Sequence, residues 1–459
     1  MKQIDFSDGR VWSNILHSSV PMLLAQVLSL LYSIVDRFFI GRIPGQSEAA
    51  LAGIGLCFPV IIIITAFTNL FGLGGAPLCS IYRGKGDRAS AQKVMNTAFA
   101  MLLVTSFAII ILGEMAARPM LFLFGASDVT IKHALPYLRI YLAGTSFAMI
   151  STGLNPYINA QGYARTGMLT VVIGSVTNLV LDPVFISACG MGVRGAALAT
   201  ILSQFLSAFF VVRFLRRDSV ELRLNLPGLA EFKGNAAIAR SIIGLGMASF
   251  IMQFTNSMVN MVCNHMLFGI GGDLFVTIMT VVSSVRQILE TPVLAVGEGS
   301  SPVLSFNYGA DRPVLVRRAI FQMSAIMLVY TLVVWRLIEL APRFFIGIFS
   351  SDPATLAGGA AALHIYFFAF IFQGLQYAAQ TTFKALNMKK RAILFSLFRK
   401  AILVIPLTIL LPTVFGMGTK GVFLAEPISN LIGGSASFIT MLATVMPELR
   451  RMDRENAQG

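Results

Sequence analysis

Apolar residues run along this chain in stretches of about twenty, the length a helix needs to cross the roughly 30 Å hydrocarbon core of a bilayer. Twelve such spans are predicted, at 13–40, 51–79, 94–116, 134–160, 168–188, 193–213, 241–267, 274–304, 319–341, 360–384, 392–412 and 421–446. The segments between them leave no room for a separate soluble domain. Polar positions inside the spans keep helical spacing. Gln253, Asn256, Asn260 and Asn264 fall on one face of span 7, and Gln26, Ser29, Ser33 and Asp36 on one face of span 1. Span 10 carries Gln376, Gln380 and Lys384, and span 4 carries Ser151, Asn155 and Asn159. Polar faces avoid lipid, so these four point at protein or water. Interhelical hydrogen bonding explains any one of them; four in matching pairs predict a shared central cavity.

The pairs match because the chain is a duplication. Gly72–Gly84 and Gly297–Gly309 both fit GxGxxPxxSxxxG at an offset of 225, and each is followed by Asp-Arg (Asp87-Arg88, Asp311-Arg312). GMGVRGAALAT at Gly190–Thr200 returns as GMGTKGVFLAE at Gly416–Glu426, at an offset of 226. Six helices plus six, an even number per half, enter the membrane with the same orientation. This predicts an all-α polytopic membrane protein whose 12 transmembrane helices form two six-helix bundles, related by a pseudo-two-fold along the membrane normal. Pro77 and Pro302 should fall on equivalent positions. The division expected is an N-lobe at 1–212, a basic cytoplasmic linker at 213–240 containing Pro227, Gly228 and Gly234, and a C-lobe at 241–459.

Composition agrees. Of 459 residues, 56% are hydrophobic and 12% charged, where soluble proteins carry about 25% charged; mean hydropathy is +0.76. This excludes a soluble enzyme, a disordered chain and a secreted disulfide scaffold. The net charge of +14 is a topology signal. Of 35 Lys and Arg, 23 lie on one alternating set of ends and loops and seven on the other (Arg37, Arg42, Arg118, Lys132, Arg194, Arg343, Lys420). By the positive-inside rule both termini are cytoplasmic, and no nucleic-acid partner is implied. A cleavable signal peptide is not expected, because the first apolar run is too long. Cys57, Cys79, Cys189 and Cys263, and His17, His133, His265 and His364, show no ligand or catalytic spacing.

What the halves do not share is more informative. Asp36 has Cys263 or Asn264 as its counterpart, Asp182 has Leu407 or Thr408, and Asn178 has Leu403. An acid pair present in one half only is not scaffold. At about 1.5 Å rise per residue, Asp36, Asp182 and Thr200 reach a similar depth, roughly 7–10 Å inside the outer boundary. Asn178 lies one turn from Asp182. This oxygen-rich set suits H⁺ or Na⁺, and two nearby carboxylates cannot both ionise cheaply, so one of them should hold a proton near neutral pH unless Na⁺ occupies the site. The alternative is that Asp36 pairs with Arg37 or Asp182 caps a loop. Arg286 and Glu290, spaced i,i+4, are expected to neutralise each other. Glu298, Arg336 with Glu339, and Glu426 lie nearer span ends, where snorkelling or loop contacts account for them.

With Pro21 fifteen residues before Asp36, Asn178 and Asp182 in NLVLDPVFI, the GMGVRGAALAT segment and FNYGA at Phe306–Ala310, the chain resembles the multidrug and toxic compound extrusion (MATE) family over nearly its whole length. It is most similar to the DinF-like prokaryotic branch. The resemblance implies a secondary antiporter in the inner membrane, not an enzyme, that exports organic, mostly cationic or amphiphilic drugs and toxins in exchange for H⁺ or Na⁺ and needs no further cofactor. It places Asp36, Asn178, Asp182 and Thr200 on the cation-site positions, with the Ala196 carbonyl as a further ligand, and Pro21 on the position associated with bending of helix 1. A monomer is expected. Another branch carries an acid in span 7, where this chain has Asn256, and no acid stands beside Gln373, Gln376 and Gln380. C-lobe coupling would need Glu290, Glu298 or Glu426 as a substitute. The substrate cavity is expected to use Gln26, Asn155, Gln253, Asn256, Gln376 and Gln380, with Met252 and Phe372 as apolar walls. The alternative, a lipid-linked oligosaccharide flippase of the same superfamily, should have more basic residues in its cavity to hold a pyrophosphate.

Overall fold

In a membrane the backbone has no water to bond, so a spanning segment satisfies its N–H and C=O groups internally as helix. A computed structural model describes residues 3–40, 47–225 and 234–458, with the side chains at 37, 38 and 47–49 excepted. Arg42, Pro227 and Gly228 lie outside the described residues, as does the side chain of Arg37. Among the described residues every regular element is a helix.

The first half comprises α1 (Val11–Ile40), α2 (Ser47–Gly55), α3 (Phe58–Gly84), α4 (Arg88–Leu123), α5 (Ile131–Ala143), α6 (Thr145–Ala160), α7 (Ala164–Asp182) and α8 (Val193–Leu215). The second comprises α9 (Ala236–Gly309), α10 (Pro313–Leu340), α11 (Pro342–Gly347), α12 (Pro353–Phe367), α13 (Phe370–Ala385), α14 (Lys389–Leu397), α15 (Ile405–Thr413), α16 (Gly418–Ser429) and α17 (Ser435–Gln458). Three π-helical segments, Pro183–Ala188, Phe398–Val404 and Asn430–Gly434, join α7 onward, α14 to α15 and α16 to α17.

Nine of these stretches are long and apolar enough to cross a bilayer, and α12 with α13, bent by 48°, makes a tenth. The 74-residue α9 would be about 110 Å long if straight, several times the membrane thickness. It is two spans divided at Gly272, whose φ of 68° and ψ of −164° are not helical. With α5 and α6, parted at Gly144, this gives the expected twelve.

The duplication is written into the backbone. Left-handed residues recur at the repeat offset: Gly86 (φ 77°) with Asp311 (56°), Gly162 (86°) with Asn387 (59°), Gly190 (64°) with Gly416 (63°), and Gly192 (55°) with Gly418 (57°). Where glycine is replaced the substitute is Asp or Asn, the side chains that tolerate this region best. Ser80 Oγ donates to the Ala160 carbonyl (3.4 Å) and Ser305 Oγ to the Ala385 carbonyl (2.9 Å), the same bond made twice.

Compactness divides the chain slightly differently from its repeats. One unit is Met1–Ile4 with Leu24–Gly246; the other is Asp5–Leu23 with Met247–Gly459. The first turns of α1 therefore pack in the second unit, and the first turns of α9 in the first. Glycines of the repeated motif make room for both. A Cβ on Gly74 would come within 2.7 Å of the Gly246 nitrogen, and one on Gly299 within 2.6 Å of Ser19 Cα.

The basic linker is not a free tether over its described part. Val220, Leu222 and Leu224 are buried. Leu222 N–H donates to Gln161 Oε1 (3.0 Å) and Leu224 N–H to the Leu215 carbonyl (2.9 Å). Arg83, its side chain buried, donates to Glu221 Oε2 (2.6 Å) and to the Ala160 carbonyl, tying the linker to the end of α3.

Three substitutions test this packing. Gly246→Ala puts a methyl within 2.7 Å of the Leu70 carbonyl carbon and should destabilise the purified protein by about 1–3 kcal/mol, read as a lowered Tm. Gly269→Ala, with nothing within 4 Å, should be neutral or slightly stabilising. Glu221→Gln should cost about 1.5–3 kcal/mol of local stability, the worth of a charge-assisted hydrogen bond, and speed tryptic cleavage after Arg223.

Candidate functional site

Asp182 closes α7, and Pro183 follows it. A proline inside a helix has no N–H to donate and crowds the preceding turn, so the chain widens into the π-helical Pro183–Ala188. Asp182 is 1% exposed and Asn178, one turn earlier, 2%. The Asn178 amide donates to Asp182 Oδ1 (3.3 Å), and the Asp182 carboxyl lies beside that of Asp36 of α1. The pair that sequence singled out is therefore brought together, with Asn178. Asn178 Oδ1 and Asp182 Oδ2 are buried acceptors with no hydrogen-bond partner among the described residues. On α8, Thr200 Oγ1 donates to the Ala196 carbonyl (3.0 Å), so these two expected ligands are joined to each other. Tyr32 and Tyr137 lie within electrostatic reach of Asp36. Neither was singled out from sequence; Tyr137 and Tyr141, four apart in LPYLRIY and stacked with ring centroids 6.2 Å apart, were the available signal. Pro21 lies inside α1, which remains one helix from Val11 to Ile40.

The second unit holds a larger polar cluster that sequence reasoning underestimated. Arg286 and Glu290 do pair (3.3 Å), but they do not form a closed couple. Arg286 Nη1 also donates to Glu426 Oε1 (3.1 Å) and to the Tyr366 hydroxyl (2.8 Å). Glu426 does not snorkel from a span end. It is 3% exposed, and its Oε1 accepts further from Arg399 Nη1 (3.0 Å) and Lys400 Nζ (2.6 Å). Arg399 also donates to Asn430 Oδ1 (2.7 Å). Glu290 Oε1 accepts from the Tyr377 hydroxyl and the Gln373 amide. Val404, Tyr366, Phe367, Phe370 and Phe423 of the apolar core surround this network.

The polar stripes separate by what they bond. Asn155 donates to the Gly167 carbonyl (2.8 Å) and to Thr170, and Asn159 donates to Asn155 Oδ1 (2.8 Å). Ser151 donates to Gln204 (2.6 Å). Gln380 donates to the Ala392 carbonyl (3.3 Å) and Ser396 (3.4 Å). Asn155 and Gln380 thus hold α6 to α7 and α13 to α14 within their own units. Asn256 Oδ1 and Gln376 Oε1 have no hydrogen-bond partner among the described residues. Gln26, Met252, Gln253, Asn256 and Phe372 are half-buried, and Gln376 is buried.

Comparison with known proteins matches this architecture. The family model MatE fits the chain twice, at residues 21–184 and 248–410, one copy per repeat. The multidrug export protein MepA of Staphylococcus saprophyticus is 24% identical over 416 residues, 90% of each chain. A crystal structure of MATE in complex with MaD3S superposes with a TM-score of 0.90 at 22% identity, covering 98% of this chain and 99% of the other. A MOP superfamily transporter from Pyrococcus furiosus, whose binding pocket has reverse polarity, superposes at 0.89 with 22% identity, covering 98% and 100%. The two family matches take in well over half of the residues, and the chain belongs to the MatE family: it is a multi-pass membrane transporter, not an enzyme.

Proposed function

We propose that this protein is an antiporter that exports organic, mostly cationic or amphiphilic compounds in exchange for H⁺ or Na⁺ held at Asp36, Asn178 and Asp182. The observation that carries the reading is the pair of orphaned acceptors, Asn178 Oδ1 and Asp182 Oδ2, where the carboxyls of Asp36 and Asp182 adjoin. Buried acceptors without donors are unfavourable, and a proton or a small hard cation is what satisfies them. Thr200 and the Ala196 carbonyl are the further oxygens a cation would recruit from α8. The similarity to MepA supports a drug-like substrate class, and Gln253, Asn256 and Gln376 are the polar groups left to meet it. The excess of Lys and Arg on one side supports both termini in the cytoplasm and, with an export role, a place in the inner membrane. The chain is expected to work as a monomer.

Coupling follows from charge. With the ion bound the acid site is near neutral; without it, negative charge is left in a medium that solvates it poorly. Helix α1, which lacks one backbone donor at Pro21, is the element expected to respond. A flippase role is less well supported, because Arg286, Arg399 and Lys400 of the second unit are hydrogen-bonded to Glu426 and not free for a pyrophosphate.

The test is ethidium efflux from proteoliposomes with proton and sodium gradients imposed separately. Asp36→Asn and Asp182→Asn should each lower gradient-driven efflux by about tenfold or more, a loss of ~1.4 kcal/mol of driving coupling at the least, in a protein that still folds. Glu290→Gln should retain substantial transport. Wild-type rates in the Asp36→Asn/Asp182→Asn double variant would refute the assignment.

A further inference from the structure

The ionisable side chains of the cluster around Glu426 do not balance. Arg286, Arg399 and Lys400 carry three positive charges; Glu290 and Glu426 carry two negative ones. The other groups that face them do not supply a third. The Tyr377 hydroxyl donates to Glu290 and so keeps its proton. The Tyr366 hydroxyl accepts from Arg286 as a neutral phenol does. Cys263, within electrostatic reach of Lys400, sits in apolar core beside Thr408. Asn430 and Gln373 are neutral amides. One oxygen, Glu426 Oε1, serves all three cations, while Glu426 Oε2 and Arg399 Nε have no hydrogen-bond partner among the described residues.

An uncompensated charge in a lipid-embedded core is strongly unfavourable. Arginine keeps its charge under all ordinary conditions, whereas a buried lysine readily gives up its proton. A neutral amine still has N–H groups to donate to Glu426 Oε1 at 2.6 Å, so the contact survives and the cluster becomes neutral. The chain is locally irregular where this happens. Arg399 and Lys400 lie in the π-helical Phe398–Val404 and Asn430 opens the π-helical Asn430–Gly434, a distortion that occurs most often at functional sites.

We propose that Lys400 is a proton-exchanging site of the second unit: its ammonium releases H⁺ to water to become an amine, and takes it back, while Glu290, Glu426, Arg286 and Arg399 remain charged. The site is separate from Asp36–Asp182 and stands whether or not that pair couples transport. It is private to its half as the acid pair is to the other, since the repeat mate of Lys400 is Ser175. The motif that carries Thr200 in the first half carries Glu426, the hydrogen-bond acceptor of Lys400, in the second.

The experiment is thermal unfolding of the full-length protein in detergent, followed by the fluorescence of Trp12 and Trp335, for wild type, Lys400→Met and Lys400→Arg. If Lys400 is neutral when folded and charged when unfolded, the unfolded state binds one more proton. Wild-type stability should then rise relative to Lys400→Met as the pH is raised towards about 10, the range of a free lysine, by up to tenfold in the unfolding constant per pH unit. At neutral pH Lys400→Met should be at least as stable as wild type, because it leaves two arginines facing two carboxylates. Lys400→Arg, which fixes the surplus charge, should be the least stable of the three. A Lys400→Met protein that fails to fold or is less stable than wild type, or one whose difference from wild type does not change with pH, overturns the proposal, and Lys400 is then a permanent counter-ion of Glu426.

Discussion

Water is absent from the hydrocarbon, and every polar group carried into it must find its partner inside the protein. That demand accounts for the helices themselves and for most of their polar side chains. Hydrogen bonds link Asn155, Asn159 and Thr170 between α6 and α7, and Gln380 with Ser396 between α13 and α14. Serines and threonines return their hydroxyls to carbonyls one turn back, as Thr68, Thr331 and Thr382 do. Against this background an unsatisfied atom carries information. Asn178 Oδ1, Asp182 Oδ2 and Glu426 Oε2 are acceptors left open where leaving them open is unfavourable, and all three belong to the two clusters that duplication does not repeat.

The two halves share their backbone devices and differ in their chemistry. Left-handed turns recur at the repeat offset, and the serine-to-carbonyl bond of the PxxSxxxG motif is made in each. Gly195 and Gly421 each lie where a Cβ would come within 2.8 Å of the preceding span's backbone, at Phe185 and at Leu411. The π-helical segments are not shared. The first half has one directly after Asp182, and the second has one bearing Arg399 and Lys400 and another opening at Asn430. Distortion follows the private polar residues, not the common scaffold.

This difference explains what was legible in the sequence. Spans, repeats and the twelve-helix plan come from local periodicity and motif spacing, which a chain displays openly. Asp36 and Asp182 stood out because a carboxylate in an apolar run needs a reason, and each had an apolar or neutral repeat mate. The second cluster was obscured for the opposite cause. Arg286 and Glu290 offered a local i,i+4 explanation, Arg399 and Lys400 sat in a span without an acid at helical spacing, and Glu426 lay within ten residues of a predicted helix start. Only tertiary packing, which lays α16 beside the segment from α14 to α15, shows that one glutamate holds three cations. In the linker, the alternation of Val220, Leu222 and Leu224 that buries its described part spans too few residues to register as an element.

Compactness also has a mechanical consequence. Helix α1 passes from one unit to the other between Leu23 and Leu24, and α9 between Gly246 and Met247. Each crossing falls next to a residue that weakens a helix. Pro21 removes a backbone hydrogen bond two residues before the first, and Gly244 and Gly246 reduce the intrinsic stability of α9 at the second. Gly246 also needs its missing Cβ, since the Leu70 backbone occupies that space. A stiff helix at either crossing would oppose any change in one unit that the other did not follow. Under the proposed coupling, a weakened helix would let the Asp36 end of α1 respond to the charge on Asp182 while its first turns stay packed against Gly299. Pro21 and Asp36 lie on one element, and in that proposal the proline would set where it yields and the carboxyl when.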